Sequence, residues 1–435
     1  MSILLCGDES QLLYRFAGAK PEILTEQISK LVDVQTVKLR INYRSTQEIV
    51  AAQLRLIENN YSGKGGPYPQ ELVKELRARP DAPQGEPISY QMYDTPQDES
   101  SSLVDEIQIL LQNGYSPQDI FVASRTRAQL GYLEGDLIKA KIPFINITGG
   151  SFWNSKHVQD IIAYVKLVYD NSDDAAFARV YDIGSTQNKY TYNDKRGQFQ
   201  TGDYAPKRRL GKQFLTECEG KYKNIYRALK SSDGWRWRNG VEDLNSMLLM
   251  LDVIIAKDGI ALALQTVIDN CYKSYLIAVD EIQLEESSKL DDLQTVVDVA
   301  RTFEDAKSFF DYVDECIKTA EAAKNGDWSE YVILSTTHKL KGLERKAIFG
   351  IGLCEGIDEN GEPCGVLPHT YSMRQPPQFG VLPSGGMGRI DDERSICFVL
   401  VSRGMERVIL SGVRNYQKMA NLQPSRFILE MIKNV

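Results

Sequence analysis

The sequence predicts an α/β protein in which one domain is interrupted by a mainly helical insertion. Strand-like and helix-like segments alternate in two stretches of the chain, and a long, largely helical region at 240–320 separates them. Such alternation is typical of α/β domains, and a helical block between two such stretches indicates an insertion. The order along the chain leaves open whether the two stretches share one sheet.

The first stretch consists of short apolar runs and amphipathic helices. Residues 2–6 form an apolar run that predicts a buried strand. Apolar positions at helical spacing predict helices over 102–113 and 155–169, and Ser155 is a candidate cap for the second of these. Further strands are predicted at 88–92 and 120–123.

The second stretch contains the most informative single residue. Apolar runs predict strands at 331–335, 347–353 and 407–411, with a helix near 390–403. In that helix Ile396, Val399 and Leu400 form an apolar stripe, and Arg403 is the next position on the same face. A guanidinium on an inward face needs a buried anionic partner, either protein or ligand. The alternative is an arginine that extends outward at a helix end.

The composition neither indicates nor excludes nucleic acid as a partner. The 435 residues suit two or three domains, and 42% hydrophobic residues are enough for a sizeable core. A net charge of −8 argues against coating nucleic acid through bulk charge, but it permits a narrow basic track. No apolar run reaches the roughly 18 residues of a membrane span. Seven scattered cysteines and three histidines predict reduced thiols, no structural metal, and a cytoplasmic protein without membrane association.

Three further segments carry chemistry. In 7–19, Gln11 supplies an amide that can orient water or phosphate, and Tyr14 and Phe16 flank Arg15 as stacking faces for single-stranded bases. Two core aromatics are the alternative. In 39–46, Arg44 follows Tyr43 at a boundary between a loop and a helix, where its rigid guanidinium group suits a phosphate. An ordinary surface arginine is the alternative.

The segment 332–344 runs from a buried strand into hydroxyls, a histidine, two lysines and a glycine. Thr336, His338 and Lys341 are candidates to hold a nucleic-acid backbone, and Glu344 is a candidate ligand of a ribose hydroxyl. An ordinary turn residue is the alternative for His338.

In this order, the segments 7–19, 39–46, 332–344 and 391–403 resemble motifs III, IV, V and VI of UvrD/Rep-type superfamily 1 DNA helicases. Three further segments resemble landmarks of the second motor domain of that family, namely 124–129, 141–168 and 355–369. The resemblance implies a RecA-like (P-loop NTPase-like) second motor domain with an inserted, mainly helical accessory domain. The implied boundaries are 1–35 for the end of the first motor domain, 36–170 and 326–435 for the second motor domain, and 171–325 for the accessory domain.

The resemblance also implies roles at an ATP site. Gln11, Arg44 and Arg403 resemble the family residues that sense the γ-phosphate. Tyr43 resembles the aromatic that stacks on adenine, Glu344 the carboxylate that meets the ribose, and Gly342 belongs to the same nucleotide-binding segment.

The implied DNA contacts lie in several places. Tyr14, Arg15 and Phe16 resemble the base-stacking segment, and Arg125, Thr336, His338 and Lys341 resemble contacts to the translocating strand. A basic tract at 206–212, with Lys207, Arg208, Arg209 and Lys212, falls where relatives hold a hairpin that faces duplex DNA. A solvated basic loop is the alternative for this tract.

A phosphate-binding loop is missing from the sequence. Each Gly-Lys pair is followed by Gly, Gln or Tyr, so no G-x-x-x-x-G-K-[ST] pattern occurs. We therefore expect ATP and its Mg²⁺ to be held by an amino-terminal RecA-like domain or a separate polypeptide, and negligible hydrolysis by this chain alone. The segment 277–283 (IAVDEIQ) imitates an acidic Mg²⁺ motif, but its position in the helical region argues against that role.

The resulting hypothesis is the carboxyl-terminal part of an ATP-dependent DNA helicase or translocase. It would act on single-stranded and duplex DNA with 3′ to 5′ polarity, as the resemblance implies, and would supply the arginine side of the ATP site. A non-catalytic DNA- or protein-binding remnant, or one subunit of a split helicase, remains open as an alternative.

Overall fold

Six parallel strands form the central sheet of the described chain. The computed structural model describes residues 4, 6–11, 13, 35, 37–64, 75–148, 150–183, 208, 210, 214, 238–280, 288–323, 328–374 and 389–432. The strands are β1 (Ile41–Asn42), β2 (Arg77–Ala78), β3 (Ser89–Tyr93), β4 (Ile120–Ser124), β5 (Phe144–Asn146), β6 (Val332–Thr336), β7 (Arg345–Gly350), β8 (Cys354–Ile357), β9 (Pro363–Gly365), β10 (Gly404–Val413) and β11 (Gln423–Pro424). The α-helices are α1 (Gln47–Ile57), α2 (Pro96–Gln112), α3 (Arg127–Lys139), α4 (Lys156–Tyr169), α5 (Asp174–Val180), α6 (Arg238–Asp258), α7 (Ile260–Val267), α8 (Lys273–Asp280), α9 (Ser288–Ala300), α10 (Ala306–Ala323), α11 (Thr370–Arg374), α12 (Arg389–Val401) and α13 (Arg426–Met431).

The central sheet contains strands from both α/β stretches. Its order is β3-β10-β7-β4-β6-β5, and each pair of neighbouring strands is parallel. The stretch before the helical region supplies β3, β4 and β5, and the stretch after it supplies β6, β7 and β10. The predicted α/β class is confirmed, and the two stretches share one sheet.

Helices cover both faces of this sheet, which explains why its strands are continuous apolar runs. In β4, Phe121 and Ala123 pack with residues of α1, α12 and α13, whereas Ile120 and Val122 pack with residues of α2 and α3. Burial of each large side chain contributes roughly 1.5–3 kcal/mol. A shift of one residue would exchange the two faces, so the apolar run and the two helix layers together define the register.

Two helix ends differ from the sequence prediction for identifiable reasons. Helix α2 begins at Pro96 rather than at 102, because Thr95 and Asp98 form a capping box and Pro96 occupies the first turn. Helix α12 ends at Val401, so the prediction that it reaches Arg403 is wrong. Arg403 lies in the turn before β10, and only 2% of it is exposed.

The chain divides into two compact units. One contains Met1–Gly150 and Thr319–Val435, and the other contains Ser151–Lys318. The described elements of the second unit are helices, from α4 to most of α10. Helix α4 belongs to this unit, whereas the sequence boundary at 170 assigned it to the α/β domain. Its side chains Ile161, Ile162 and Tyr164 are fully buried, as expected for a helix surrounded by other helices.

Two sequence features can be placed directly. Residues 277–280 of the acidic segment lie in helix α8, whereas an Mg²⁺ motif of this type would follow a strand, and residues 281–283 lie outside the described residues. Of the helices that the structure describes, none combines the length and the apolar character required to span a membrane.

Candidate functional site

The predicted site residues of the α/β unit lie at opposite edges of the central sheet. We call the edge at which β7 and β10 begin the amino edge, and the edge at which β4 and β6 end the carboxyl edge. Glu344 immediately precedes β7 and Arg403 immediately precedes β10, and these two strands are neighbours. Thr336 ends β6, and Arg125 directly follows β4. Predicted nucleotide contacts therefore lie at the amino edge, and most of the predicted DNA contacts of this unit lie at the carboxyl edge.

Arg403 is a buried cation surrounded by neutral acceptors. Its Nη2 donates to Oγ of Ser402 at 2.9 Å and to Oε1 of Gln11 at 3.3 Å. Its Nε donates to the carbonyl oxygen of Val399 at 3.1 Å, and its Nη1 lies 3.4 Å from that of Leu343. Within the described part of the chain, no carboxylate forms an ion pair with it. Burial, and then the charge of Arg44, lower the pKa of Arg403 to about 10.

Arg44 lies beside Arg403 at the same edge. Its Nε donates to the Glu344 carboxylate, and its Nη1 donates to the carbonyl oxygen of Ser402 at 3.2 Å. The backbone here is shaped by Asn42, whose Oδ1 accepts from the amides of Arg44 and Ser45 at 2.8 and 2.9 Å. This turn precedes α1 and orients the arginine, as polar side chains commonly do at helix starts.

Tyr43 and Gly342 complete the predicted nucleotide set. The Tyr43 side chain is 72% exposed, so its ring is accessible. Gly342 has a φ of +90° and open space around the position that a Cβ would take, so the constraint on this residue is backbone conformation rather than packing.

Gln11 connects the first described segment to this edge. Its Nε2 donates to Oδ2 of Asp8 at 2.8 Å, which orients the amide and leaves Oε1 to accept from Arg403. Lys341, which the sequence groups with His338 as a DNA contact, lies here instead, with Nζ 3.3 Å from the Gln11 carbonyl oxygen. The short connection from β6 to β7 carries the chain between the two edges, which explains this separation.

The amino edge can therefore accept an anion. Two guanidiniums lie close enough that one lowers the pKa of the other, and a single carboxylate binds one of them. An incoming phosphate group would offset both the repulsion between the guanidiniums and the burial of a charge that the Glu344 and Asp8 carboxylates compensate only in part.

At the carboxyl edge, Arg125 is anchored by a residue that the sequence analysis did not identify. The carboxylate of Glu393, in α12, receives two parallel hydrogen bonds from Nε and Nη2 of Arg125, the shorter at 2.8 Å. His338 lies near this pair, and burial, followed by the charge of Arg125, lowers the pKa of His338 to about 4. His338 is therefore neutral at neutral pH. A carboxylate within the apolar pattern of α12 was the signal that could have revealed Glu393.

The prediction that Arg208 contacts DNA is wrong. Its side chain is fully buried in the second unit, where Nε donates to Oδ2 of Asp243 at 2.7 Å. The other donors reach the carbonyl oxygen of Val180 and the hydroxyl of Tyr164. Charge density along the sequence suggested a solvated tract, but this position is internal, and the cation is satisfied by the protein.

Several predicted DNA contacts lie outside the residues that the structure describes. They are Tyr14, Arg15, Phe16, Lys207, Arg209 and Lys212.

Sequence comparison finds relatives of this chain among known proteins. A family profile described as the UvrD-like helicase C-terminal domain matches residues 37–415. The chain is 26% identical over 448 aligned residues to DNA helicase II of Salmonella typhimurium and 26% identical over 447 to DNA helicase II of Escherichia coli. It is 23% identical over 448 residues to ATP-dependent DNA helicase PcrA of Staphylococcus aureus.

These alignments include 99% of the chain but 54–55% of each relative, so the chain spans about half the length of the curated relatives it matches. They confirm the predicted resemblance to the carboxyl-terminal half of UvrD/Rep-type helicases. Since the profile matches most of its residues, this chain belongs to the UvrD-like helicase C-terminal domain family.

Proposed function

We propose that this chain supplies the arginine side of the ATP site in an ATP-dependent DNA helicase or translocase. The observation that carries the proposal is Arg403, which is buried among neutral acceptors next to a second guanidinium, that of Arg44. Such an arrangement is unfavourable for an isolated protein and favourable for one that meets a polyphosphate.

The chemistry of phosphoryl transfer explains why two arginines are placed here. Negative charge on the transferred group is stabilised by cations already in position, and an arginine supplied across a domain interface accelerates such reactions by about 10³-fold or more. Arg403 and Arg44 would contact the phosphates, and Gln11 would orient a phosphate oxygen or water. Bound Mg²⁺ neutralises phosphate charge, and its ligands would come from the surface that holds the phosphates.

Exposure and position support the remaining nucleotide contacts of this proposal. Tyr43 presents an accessible ring that would stack on the adenine. Glu344, now bound to Arg44, would also be in reach of a ribose at the same edge. A cradle for the β- and γ-phosphates would come from a RecA-like domain outside these 435 residues, on the same polypeptide or on a partner.

DNA would run along the carboxyl edge. Thr336, His338 and Arg125 lie there, and they present a hydroxyl, a neutral imidazole and a guanidinium, which suit contacts to a phosphate backbone rather than to bases. We further propose that the α/β unit is the second RecA-like motor domain and that the helical unit is its accessory domain. We also propose 3′ to 5′ movement on single-stranded DNA, with unwinding of duplex.

The test is ATP hydrolysis stimulated by single-stranded DNA. The chain would be measured alone and then with the amino-terminal half of DNA helicase II from Escherichia coli, which is one of its relatives. We expect negligible turnover from the chain alone and DNA-dependent turnover from the mixture. In that mixture Arg403→Ala should abolish turnover and leave the affinity for DNA nearly unchanged.

Arg407→Ala is the matched control, because Arg407 lies in β10, four positions after Arg403, but its guanidinium forms an ion pair with Glu86. Undiminished turnover in Arg403→Ala would remove Arg403 from the site. Binding of DNA without turnover in any mixture would instead favour a non-catalytic remnant.

A further inference from the structure

The buried carboxylate of Glu393 organises the carboxyl edge. Its side chain is 2% exposed, and it accepts from Arg125, from the backbone amide of His369 at 3.1 Å and from the Ser372 hydroxyl at 2.9 Å. Although burial opposes ionisation, the charge and hydrogen bonds of Arg125 and its other donors keep the pKa of Glu393 below its usual value. The carboxylate is therefore ionised and fully engaged.

Glu393 binds only one edge of the Arg125 guanidinium. The Nε and Nη2 atoms face the carboxylate, at 3.0 and 2.8 Å. A guanidinium has five N–H donors in a planar fork, so the edge formed by Nη1 and the second Nη2 hydrogen can still bind another anion. The Arg125 side chain is 20% exposed, which gives an external ligand limited access.

The surroundings of Arg125 favour a phosphate as that ligand. His338 next to it is uncharged at neutral pH, so Arg125 supplies the positive charge that an anion would meet there. Thr336 ends the neighbouring strand β6 and brings a hydroxyl to the same edge. One charged fork and small neutral groups suit the repeating phosphates of a single strand.

We propose that Glu393 is a positioning residue that holds Arg125 through Nε and Nη2 so that the edge formed by Nη1 and Nη2 binds a phosphate of single-stranded DNA. The inference rests on the proposed function, since it assigns an orienting partner to one of its DNA contacts. Glu393 does not touch the DNA. It acts through Arg125, and it also ties the segment at His369 and Ser372 to helix α12.

A double-mutant cycle on the full chain tests this dependence. Binding of a fluorescent oligothymidylate would be measured by anisotropy for wild type, Arg125→Ala, Glu393→Gln and the double variant, at several salt concentrations. Loss of one phosphate contact in Arg125→Ala should weaken binding about tenfold and reduce the salt slope by about 0.7. Glu393→Gln should weaken binding about threefold to tenfold in wild type and have no further effect when Arg125 is absent.

Glu430→Gln is the matched control. Glu430 receives a similar pair of hydrogen bonds from Arg394, the next residue of α12, but it takes no part in the carboxyl edge. This variant should affect stability and leave DNA affinity unchanged. If Glu393→Gln fails to fold, Ser372→Ala removes one donor from the same carboxylate and should give a smaller loss of affinity that also vanishes in Arg125→Ala.

The outcomes separate the two claims. If Arg125→Ala binds DNA like wild type, the proposed DNA contact is wrong. If Arg125→Ala weakens binding but the effect of Glu393→Gln is unchanged in its background, the contact stands and the positioning role is overturned. Equal losses in Glu430→Gln and Glu393→Gln would likewise reduce Glu393 to a residue that only stabilises the fold.

Discussion

Arg403 and Gln11, 392 positions apart in the chain, meet at the amino edge, where Nη2 of Arg403 donates to Oε1 of Gln11 at 3.3 Å. The amide is itself oriented by the Asp8 carboxylate, which accepts from its nitrogen. At this contact the guanidinium meets a neutral oxygen, and the Asp8 carboxylate, which binds the other end of the amide, attracts it only from a longer distance. A buried cation of this kind lowers the stability of the free protein and is ready for an anion.

Replacement of Arg403 by an apolar side chain should therefore stabilise the chain. We expect Arg403→Met to raise the free energy of unfolding by about 1–3 kcal/mol, because methionine retains the packing and removes the desolvated charge. Urea denaturation at pH 7 measures this. Arg394→Met, in α12, should instead destabilise the chain, because Arg394 forms ion pairs with Asp391 and Glu430. Equal destabilisation by both variants would show that the charge of Arg403 is stabilised within the chain as well as that of Arg394 is.

Much of this arrangement could be predicted from the sequence, and the reasons are physical. Buried parallel strands are apolar on both faces, so β4 and β6 appear as continuous apolar runs. The inward position of Arg403 follows from the apolar stripe before it, even though helix α12 ends two residues earlier. The end of that helix depends on where the chain must turn into β10, and periodicity carries no such information.

Pairings between distant side chains could not be predicted. Glu393 and Arg125 are 268 positions apart, and nothing in either segment indicates that they meet. The burial of Arg208 could not be inferred either, because its neighbours in the sequence are also basic, and only the fold of the second unit brings Asp243 to it. The charge of a sequence segment is an average over its residues, whereas burial differs from one residue to the next.

Loss of the Arg208 side chain should destabilise the second unit severely. Arg208→Met removes the hydrogen bonds that Arg208 donates to the Asp243 carboxylate and the Val180 carbonyl, and breaking a buried pair in this way costs about 3–5 kcal/mol. Thermal unfolding followed by circular dichroism measures the change. Lys307→Met is the contrasting control, because its pair with Asp311 is exposed and screened by solvent, so its loss should leave the unfolding transition almost unchanged. A loss below about 1 kcal/mol in Arg208→Met would contradict the internal role.

Acid should destabilise the chain through His338. Its pKa is about 4 in the folded protein and near 6.5 when exposed, so the unfolded state binds more protons between these values. The contribution of His338 to the free energy of unfolding is fully present above pH 6.5. It is lost as the pH falls towards 4, by about 3 kcal/mol in total. His338→Gln should remove the loss, as measured by urea denaturation at pH 7 and 5. Unchanged pH dependence in the variant would show that the imidazole titrates normally.

Glu99 should act in the opposite direction over an overlapping range. This carboxyl is fully buried, and burial raises its pKa to about 6, against hydrogen bonds from the Ser411 hydroxyl and the Gly352 amide that lower it. Between about pH 4.5 and 6 the folded state therefore binds more protons than the unfolded state. Stability from this group is greatest below pH 4.5 and falls by about 2 kcal/mol as the pH rises above 6.

The pH-dependent contributions of His338 and Glu99 to stability partly cancel in the wild-type chain. Each contribution is therefore measured in the variant that lacks the other group. From pH 7 to pH 5 the His338 contribution falls by about 2 kcal/mol while the Glu99 contribution rises by about 1 kcal/mol. Glu99→Gln should therefore lose stability more steeply than wild type on acidification, and His338→Gln should gain stability. Each variant serves as the control for the other, because both remove one titrating group from the same unit. Parallel pH profiles for the two variants would contradict both assignments, since only opposite shifts in pKa give slopes of opposite sign.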